Sequence, residues 1–406
     1  MKNPGRLVLF TLVFLLPCLF IWPNDIGIIL DQGGTFGDNG MGSGAALSDY
    51  TASLIPRFHT LIGEEGEIYV SAGLNAEYSN GSWSFVPELL RTEFNWLFEN
   101  SIIRAGRILY SAPLPFIAEG LFDGASYSID TAIGTFGAGV WYTGFLYKRR
   151  ANIAITDLEL LAYHEDLDYS NFSDTYFASP RLISALDWEH PNLADGLLRG
   201  RASLMGQFDL SDTEINSQYI TGSFSLPYEA YLFSLGLSLG LIQNSGEFSI
   251  SFAGELEAAW TLPTAFPSRL SFLWRASSGV SEGGNIRAFL PITTQPQGSI
   301  LKANISGISL ASLDYITRLG QTLSLGLSSS YFIRNDLGTY FAYPASLAEG
   351  GGHFMGAEFF GRLFWAPYSD LSLNAGGGIF LPSLGNAAPD IDNMWRLEIN
   401  LILSLF

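Results

Sequence analysis

The sequence predicts an all-β fold: a closed antiparallel transmembrane β-barrel of about 18 strands, with 16 strands also compatible. Three observations predict it: apolar and polar residues alternate over segments of about ten residues, charge is sparse, and short and long connections follow each other regularly. Charged residues make up 15% of the 406-residue chain, whereas about 25% is typical of soluble domains. The 44 glycines and 30 phenylalanines suit strands that face lipid on one side and a lumen on the other.

Alternation is clearest in Glu247–Leu262. Aromatic and aliphatic residues occupy one face of this stretch, whereas Glu255 and Glu257 occupy the other. A helix would scatter the apolar set around its axis, because side chains repeat every 3.6 residues in a helix and every 2 in a strand. Ser268–Ser277 and residues 199–209 repeat the arrangement. We therefore interpret all three as strands with one apolar face and one polar face.

The last stretch of the chain, residues 395–406, is the most apolar of these predicted strands. Its apolar row occupies every second position and consists of Trp395, Leu397, Ile399, Leu401, Leu403 and Leu405. Phe406 follows out of phase with the row. A terminal aromatic residue resembles the C-terminal signal that delivers outer-membrane proteins for insertion. This resemblance implies the barrel-insertion machinery as a partner.

The predicted connections differ in length on the two sides of the sheet. The short ones are residues 62–66, 99–101, 130–134, 189–195, 226–229, 262–268, 320–321 and 366–370. The long ones are residues 32–49, 79–84, 111–119, 148–179, 210–216, 279–302, 335–352 and 384–393, while residues 243–246 are short where a long loop is expected. Short periplasmic turns and long extracellular loops are typical of an outer-membrane barrel. Both chain termini then lie on the short-turn side.

The N-terminus predicts export. Lys2 and Arg6 precede the apolar run 7–21, which matches the charged and hydrophobic regions of a secretory signal. We predict a signal peptide at residues 1–22 and a barrel at residues 23–406. An uncleaved anchor, or a lipoprotein modified at Cys18, is the alternative. Because Cys18 is the single cysteine, the chain has no internal disulfide framework.

The predicted strands carry many charged side chains that belong on a polar face. A charge facing lipid near the bilayer midplane costs about 2–4 kcal/mol, so these side chains should point into the lumen or lie near an interface. As pore-lining candidates we name Arg104, Arg199, Arg201, Glu255, Glu257, Arg269, Arg275, Arg318, Arg362 and Arg396. Arg57, Arg91, Arg181, Glu93, Asp314, Glu358 and Glu398 also fall within predicted strands. Such a ladder sets selectivity in a channel, or it forms salt bridges that stiffen the barrel.

Three of the predicted loops have alternative interpretations. Residues 148–179 are acidic, and they fold inward to constrict a pore, remain on the surface, or bind a cation, although EF-hand spacing is lacking. Residues 279–302, which include Arg287, are a second candidate for folding inward. The glycine-rich residues 33–48 lack the features of a phosphate-binding loop, so we expect a flexible exposed loop there.

Composition argues against several functions. A net charge of −19 opposes binding to nucleic acid, whose phosphates attract basic surfaces. The four histidines are His59, His164, His190 and His353, and none has metal-site spacing. We therefore expect no metal, no cofactor and no catalytic residues. A barrel hydrolase that uses His164 or His353 with a serine or aspartate remains an alternative.

One stretch carries a family resemblance. Residues 103–125 resemble the part of substrate-specific Gram-negative porins and alginate-export-like porins where a strand ends in R-x-G-R, a loop crosses, and a strand opens with a F-D/E-G-A-like turn. The residues that carry it are Arg104, Gly106, Arg107, Pro113, Pro115, Phe122, Asp123, Gly124 and Ala125, with Ile108 where these families often have Gln. The resemblance implies an 18-strand monomeric barrel whose lumen arginines guide an anionic or polar solute.

The expected function is passive diffusion of small hydrophilic or charged solutes across the outer membrane of a diderm bacterium. Lumen charges and inward loops would set which solutes pass, and outer-membrane lipid would surround the barrel. One alternative is a barrel plugged by its own loops that acts as a surface adhesin or structural protein. A transporter of hydrophobic compounds, the barrel hydrolase and a secreted soluble β-sandwich are further alternatives.

Overall fold

The computed structural model describes residues 24–38, 46–79, 81–153, 159, 162–163, 165–211, 215–244, 246–280, 287–336, 351–388 and 390–405. The predicted signal peptide, residues 1–22, lies outside this part of the chain and remains a prediction.

The described residues form eighteen strands. These are β1 (Asn24–Asp38), β2 (Ala46–Ile62), β3 (Gly66–Ser79), β4 (Ser82–Leu97), β5 (Ser101–Ser111), β6 (Glu119–Thr131), β7 (Gly134–Tyr142), β8 (Arg181–Asn192), β9 (Leu198–Asp209), β10 (Ile215–Tyr228), β11 (Tyr231–Asn244), β12 (Glu247–Leu262), β13 (Ser268–Ser277), β14 (Ile308–Arg318), β15 (Leu323–Arg334), β16 (Phe354–Tyr368), β17 (Leu371–Leu381) and β18 (Met394–Leu405). Each strand pairs antiparallel with its neighbours in sequence, and β1 pairs with β18 to close the barrel. The predicted closed barrel of 18 strands is confirmed.

The helices are short and lie in connections. They are α1 (Lys148–Ala151), α2 (Phe172–Tyr176), α3 (Leu193–Gly196) and two 3₁₀ turns at Tyr169–Asn171 and Pro382–Leu384. Among the described residues, none of the helices is long and apolar enough to cross a bilayer.

Alternation gives the sheet one apolar and one polar face. In β11, Leu237 and Leu239 are 61% and 52% exposed on the outer face, whereas Ser238 between them is buried. Leu239 is paired in register with Phe252 of β12, so the apolar row continues from strand to strand. A soluble protein rarely exposes so continuous an apolar surface. The outer face is therefore suited to hydrocarbon.

Connections on the two ends of the barrel have the predicted asymmetry. On the turn side, β10 and β11 are separated by residues 229–230 and β16 and β17 by residues 369–370. On the loop side, residues 143–180 separate β7 from β8 and residues 278–307 separate β13 from β14. Asn24 at the start of β1 and Leu405 at the end of β18 lie on the turn side.

Two predicted loops are wrong in part. The predicted loop 32–49 contains strand residues, because β1 continues to Asp38 and β2 begins at Ala46. Its glycines allow close packing: a β-carbon on Gly37 would lie 2.5 Å from the Trp395 carbonyl oxygen. The predicted loop 79–84 is too long, because β3 continues to Ser79 and β4 begins at Ser82. The loop prediction is wrong at residues 32–38 because the glycines there carry no side chains that could show the alternation of a strand.

Candidate functional site

Three segments leave the wall on the loop side and pack inside the barrel. We call residues 112–118, 148–153 and 287–306 the inner loops. Phe116, Phe289 and Ile153 from the three segments are each 0% exposed. They belong to one apolar cluster that includes inner-face residues of the wall. The lumen is therefore partly filled by packed loops.

Hydrogen bonds connect the inner loops to one another. The Ile292 amide donates to the Ile117 carbonyl at 2.7 Å, and the Thr294 amide donates to the Asn152 carbonyl at 2.7 Å. The Phe116 and Phe289 rings contact at a centroid distance of 6.5 Å. Since these bonds join segments far apart in sequence, the inner loops form one constriction rather than three independent flaps.

The sequence anticipated two of these inner loops and missed the third. Parts of 148–179 and 279–302 lie inside the barrel, which is the inward interpretation offered for both. In the acidic loop, Glu159 pairs with Arg181 and Asp166 pairs with Arg149, so both carboxylates already have cationic partners. Residues 112–118 were predicted only as a loop. The available signal was the wholly apolar composition of residues 112–118, which is unusual for a solvent-exposed connection.

Glu358 of β16 fixes the inner loop 287–306 to the wall. Its carboxylate accepts the backbone amides of Ser299 at 2.6 Å and of Ile300 and Leu301 at 3.0 Å each. Glu358 is only 2% exposed, and Gly298 beside it has a φ of +82°. A charged acceptor that satisfies three backbone amides is strongly favourable there. The carboxylate therefore determines where the loop lies across the lumen.

Four of the predicted pore-lining residues form two ion pairs on the inner face of β12 and β13. Nε of Arg275 donates to Oε2 of Glu255 at 2.8 Å, and Arg269 pairs with Glu257 at 2.6 Å. Arg275 also donates to Oε1 of Gln297 in the inner loop at 2.6 Å, and its guanidinium lies 4.7 Å from the Phe116 ring centroid. One pair therefore contacts the constriction, and the other lies nearer the turn side.

Arg362 lies between two cavities in the lumen. It bonds Glu398 at 3.3 Å and the Ser299 hydroxyl of the inner loop at 3.0 Å. A cavity of about 330 Å³ lies on one side, and its lining includes Glu257 and Asp314. A cavity of about 400 Å³ lies on the other, and its lining includes Thr35, Asp49, Thr51, Asn374, Glu398 and Asn400. Arg362 and Phe364 line both cavities, and Arg362 is the charged side chain that the two cavities share.

Two further cations belong to the same region. Arg396 pairs with Glu398 at 3.5 Å and donates to the Thr35 hydroxyl at 3.1 Å. Lys302, on the inner loop, has an exposed side chain near the charges of Arg396, Glu398 and Asp49. Burial lowers the pKa of its ammonium group, and nearby Arg396 lowers that pKa further. Sequence reasoning missed Lys302 because it lies in a loop rather than a strand.

The remaining predicted arginines lie on the inner face without entering this cluster. Arg201 contacts Glu189 at 3.7 Å and donates to the Ser111 carbonyl at 2.9 Å. Arg104, Arg199 and Arg318 are exposed, and no ion pair holds them among the described residues. Their register places them with other inner-face residues. A pore-lining role for the ten residues remains a prediction.

The contacts of the described histidines give little support to a catalytic or metal-binding role. His59 lies 3.3 Å from Glu67 and 3.8 Å from Asp25, and the His353 ring bonds the Arg334 carbonyl at 2.9 Å. Neither ring bonds a serine hydroxyl in the described part of the chain, and His164 lies outside it. No group of three or more metal-ligating side chains was found among the described residues.

Comparisons with known proteins identify the fold. No protein-family model matches the chain, and no curated protein sequence matches it. Solved structures match over nearly the whole length. OccK5 (OpdH) of Pseudomonas aeruginosa has a TM-score of 0.61 at 11% identity, with 94% of this chain and 98% of that chain covered.

Two other structures from the same organism agree. The outer membrane protein OprD has a TM-score of 0.57 at 15% identity, with 95% of each chain covered. OccK2 (OpdF), in complex with glucuronate, has a TM-score of 0.60 at 11% identity, with 94% of this chain and 98% of that chain covered. At these identities the likeness establishes a shared barrel fold.

Proposed function

We propose that this barrel is an outer-membrane channel through which small hydrophilic or charged solutes diffuse passively. The observation that carries the proposal is the pair of charged cavities beside the inner loops, joined at Arg362. Both contain cationic and anionic side chains, and both lie within a wall whose outer face is apolar. A barrel of this size is too wide for wall side chains alone to fill.

The proposed location is the outer membrane of a diderm bacterium. The fold shared with outer-membrane proteins of Pseudomonas aeruginosa and the short-turn, long-loop asymmetry support it. Membrane lipid would contact the outer face. The terminal strand, residues 394–405, would be presented to the insertion machinery after residues 1–22 are removed as a signal peptide.

Solute selection would depend on the cluster around Arg362. Lys302 and Arg396 add positive charge to it, while Asp49 and Glu398 add negative charge. Charges of both signs at a constriction favour a polar solute that makes hydrogen bonds as it passes. OccK2, a structural neighbour, was solved with glucuronate, a sugar that carries a carboxylate. Sugar acids are therefore suitable first test solutes.

Single-channel recording in a planar bilayer tests the proposal. The purified protein should show steady open levels, and liposomes containing it should swell in small polar solutes, including glucuronate. The adhesin alternative requires that the inner loops plug the lumen. Protein that inserts into the bilayer but shows no open level would contradict the channel and favour that alternative.

A further inference from the structure

The barrel wall is interrupted on the loop side between β4 and β5. β4 spans Ser82–Leu97, but its ladder with β5 covers only residues 92–97. Residues 82–91 pair with β3 alone, and residues 108–111 of β5 pair with β6 alone. We call this gap in the ladder the window.

The window exists because β5 bends away from β4 at Gly106. This residue has a φ of +111°, and a β-carbon there would lie 2.2 Å from the Thr92 carbonyl oxygen. At the next residue, the Arg107 amide donates to the Thr92 hydroxyl at 3.1 Å. The β5–β6 hairpin then carries the inner loop 112–118 into the lumen. On β4, Pro87 lacks an amide hydrogen, as is common on an unpaired edge.

Side chains, rather than a backbone ladder, close the window. The Tyr176 hydroxyl donates to the Pro87 carbonyl at 3.0 Å, and the hydroxyl of Tyr169 donates to the Phe85 carbonyl. The Arg107 guanidinium donates to the Leu89 carbonyl. Burial raises the pKa of the Tyr176 hydroxyl to about 12, so it remains a donor at neutral pH. Two of the three contacts come from the loop 143–180.

The window is lined by apolar and aromatic groups together with two ion pairs, Arg150–Glu88 at 2.8 Å and Arg107–Asp123 at 2.7 Å. Val86, Tyr147 and Tyr176 form a buried cluster, and the rings of Phe172 and Tyr176 stack at 4.6 Å. On the outer rim, Phe85, Leu89 and Leu109 are 65%, 42% and 59% exposed. Apolar groups therefore lie on both the outer rim and the inner side of the window, beside the Arg107–Asp123 ion pair.

The aromatic residues of the outer face indicate the depth of the window. Trp83 of β4 contacts the rings of Tyr50 and Tyr78 at 6.1 and 5.2 Å, near the loop-side ends of their strands. Phe94 and Trp96 pack together nearer the turn side of the same strand. Aromatic girdles mark the two interfaces of a barrel with the membrane. The window begins at the loop-side group and extends toward the other, so residues 85–91 lie between the two groups, at the level of the lipid tails.

We propose that the window is a lateral portal through which an amphiphile of the outer leaflet reaches the barrel interior. The apolar lining would take its tail. Asn75 lies opposite Val86 in register and is only 1% exposed, and its Oδ1 has no hydrogen-bond partner in the described residues. That atom would accept a hydrogen bond from a hydroxyl or ammonium head. The proposal rests on the membrane placement above and is independent of which solute crosses the lumen.

Cysteine labelling from the lipid phase tests the portal. In the full chain carrying Cys18→Ser, Val86→Cys is compared with Ser217→Cys. Both positions are buried on the inner face near the loop end, at 1% exposure each. Ser217, unlike Val86, has ladder partners on both sides, Gln207 and Ile242. The probe is a maleimide attached to a lipid in vesicles that contain the protein.

The expected result is labelling of Val86→Cys at least about tenfold faster than Ser217→Cys. Tyr176→Phe, which removes one closing bond, should increase the rate at Val86→Cys further. Equal slow rates at the two positions would overturn the portal. Val140→Cys, on the outer face and 51% exposed, should label rapidly in every case. If Val140→Cys does not label, the result contradicts the placement of the outer face in the membrane as well as the portal.

Discussion

At the scale of single residues, Glu358 illustrates how one buried carboxylate positions a loop. Three backbone amides of residues 299–301 converge on it, and each would lose its acceptor if the carboxylate moved. An unsatisfied buried donor costs about 1–3 kcal/mol. The inner loop 287–306 therefore depends on a wall residue that contacts no solute.

We predict that Glu358→Gln loosens this loop and increases the single-channel conductance. The amide presents a donor where three donors already converge, so the loop should lose about 1–3 kcal/mol of stabilisation. Planar-bilayer recording measures the effect. Glu257→Gln is the matched control, since it removes the same charge from the inner face without touching an inner loop. A conductance change equal in both variants would show that charge, not anchoring, is responsible.

The ion pairs of β12 and β13 give a second prediction. Glu255→Gln together with Glu257→Gln leaves the guanidinium groups of Arg275 and Arg269 without their carboxylates. Ion selectivity should therefore shift toward anions, as reversal potentials in a salt gradient would report. An unchanged reversal potential would remove both glutamates from a role in the lumen.

Lys302 gives a prediction about pH. Burial lowers the pKa of this lysine from its usual 10.5, so its charge is lost at a lower pH than that of an exposed lysine. As the pH rises from about 7 to about 10, the ratio of anion to cation permeability should fall in the unmodified protein. In Lys302→Arg this ratio should stay constant over the same range, because arginine stays charged. Parallel pH profiles of the two would argue against Lys302 as the titrating group.

The alternation of residues in the sequence predicts which charges lie on the polar faces of the strands, because a charge in lipid is costly. It does not predict that Glu255 pairs with Arg275. Pairing depends on register between strands, which alternation within one strand does not contain. Lys302 was missed because no periodic pattern marks a loop residue that turns inward.

At the scale of elements, Gly106 determines the path of the β5–β6 hairpin. Its positive φ and its closeness to the Thr92 carbonyl require a residue without a side chain. The hairpin beyond it lines the window on one side and carries an inner loop on the other. The backbone conformation of one residue therefore affects both the wall and the constriction.

We predict that Gly106→Ala lowers the free energy of unfolding of the barrel by about 1–3 kcal/mol, the usual cost of a strained backbone residue. The added β-carbon would also clash with Thr92. Thermal unfolding followed by circular dichroism measures the change. Gly320→Ala is the control, since nothing lies within 4 Å of a β-carbon built at that glycine. Equal stability of the two variants would contradict the close approach at Gly106.

Alternation predicted most strands because each has one face in an apolar environment. In β12 the predicted and observed bounds agree, from Glu247 to Leu262. The glycine-rich end of β1 was missed because glycines carry no alternating signal. The window could not be predicted from the sequence either. Pro87 indicates a strand edge without a hydrogen-bonded partner, but it does not show which neighbouring strand is absent.

At the scale of the whole molecule, the barrel has two faces with different surroundings. The outer face carries exposed leucine and phenylalanine from nearly every strand, and the inner face carries the ion pairs and the inner loops. Closing the sheet between β1 and β18 separates the two environments. Under the proposed function, the lumen lined by charges is a route across the membrane, narrowed by packed loops.

Modification of engineered cysteines during single-channel recording tests this claim most directly. Glu257→Cys and Phe252→Cys, each with Cys18→Ser, place a thiol on the inner and outer faces of the same strand. A bulky water-soluble thiol reagent should lower the conductance of the Glu257→Cys channel in steps and leave the Phe252→Cys channel unchanged. Reduced conductance through Phe252→Cys, with Glu257→Cys unaffected, would contradict the assignment of the two faces and the channel built on it.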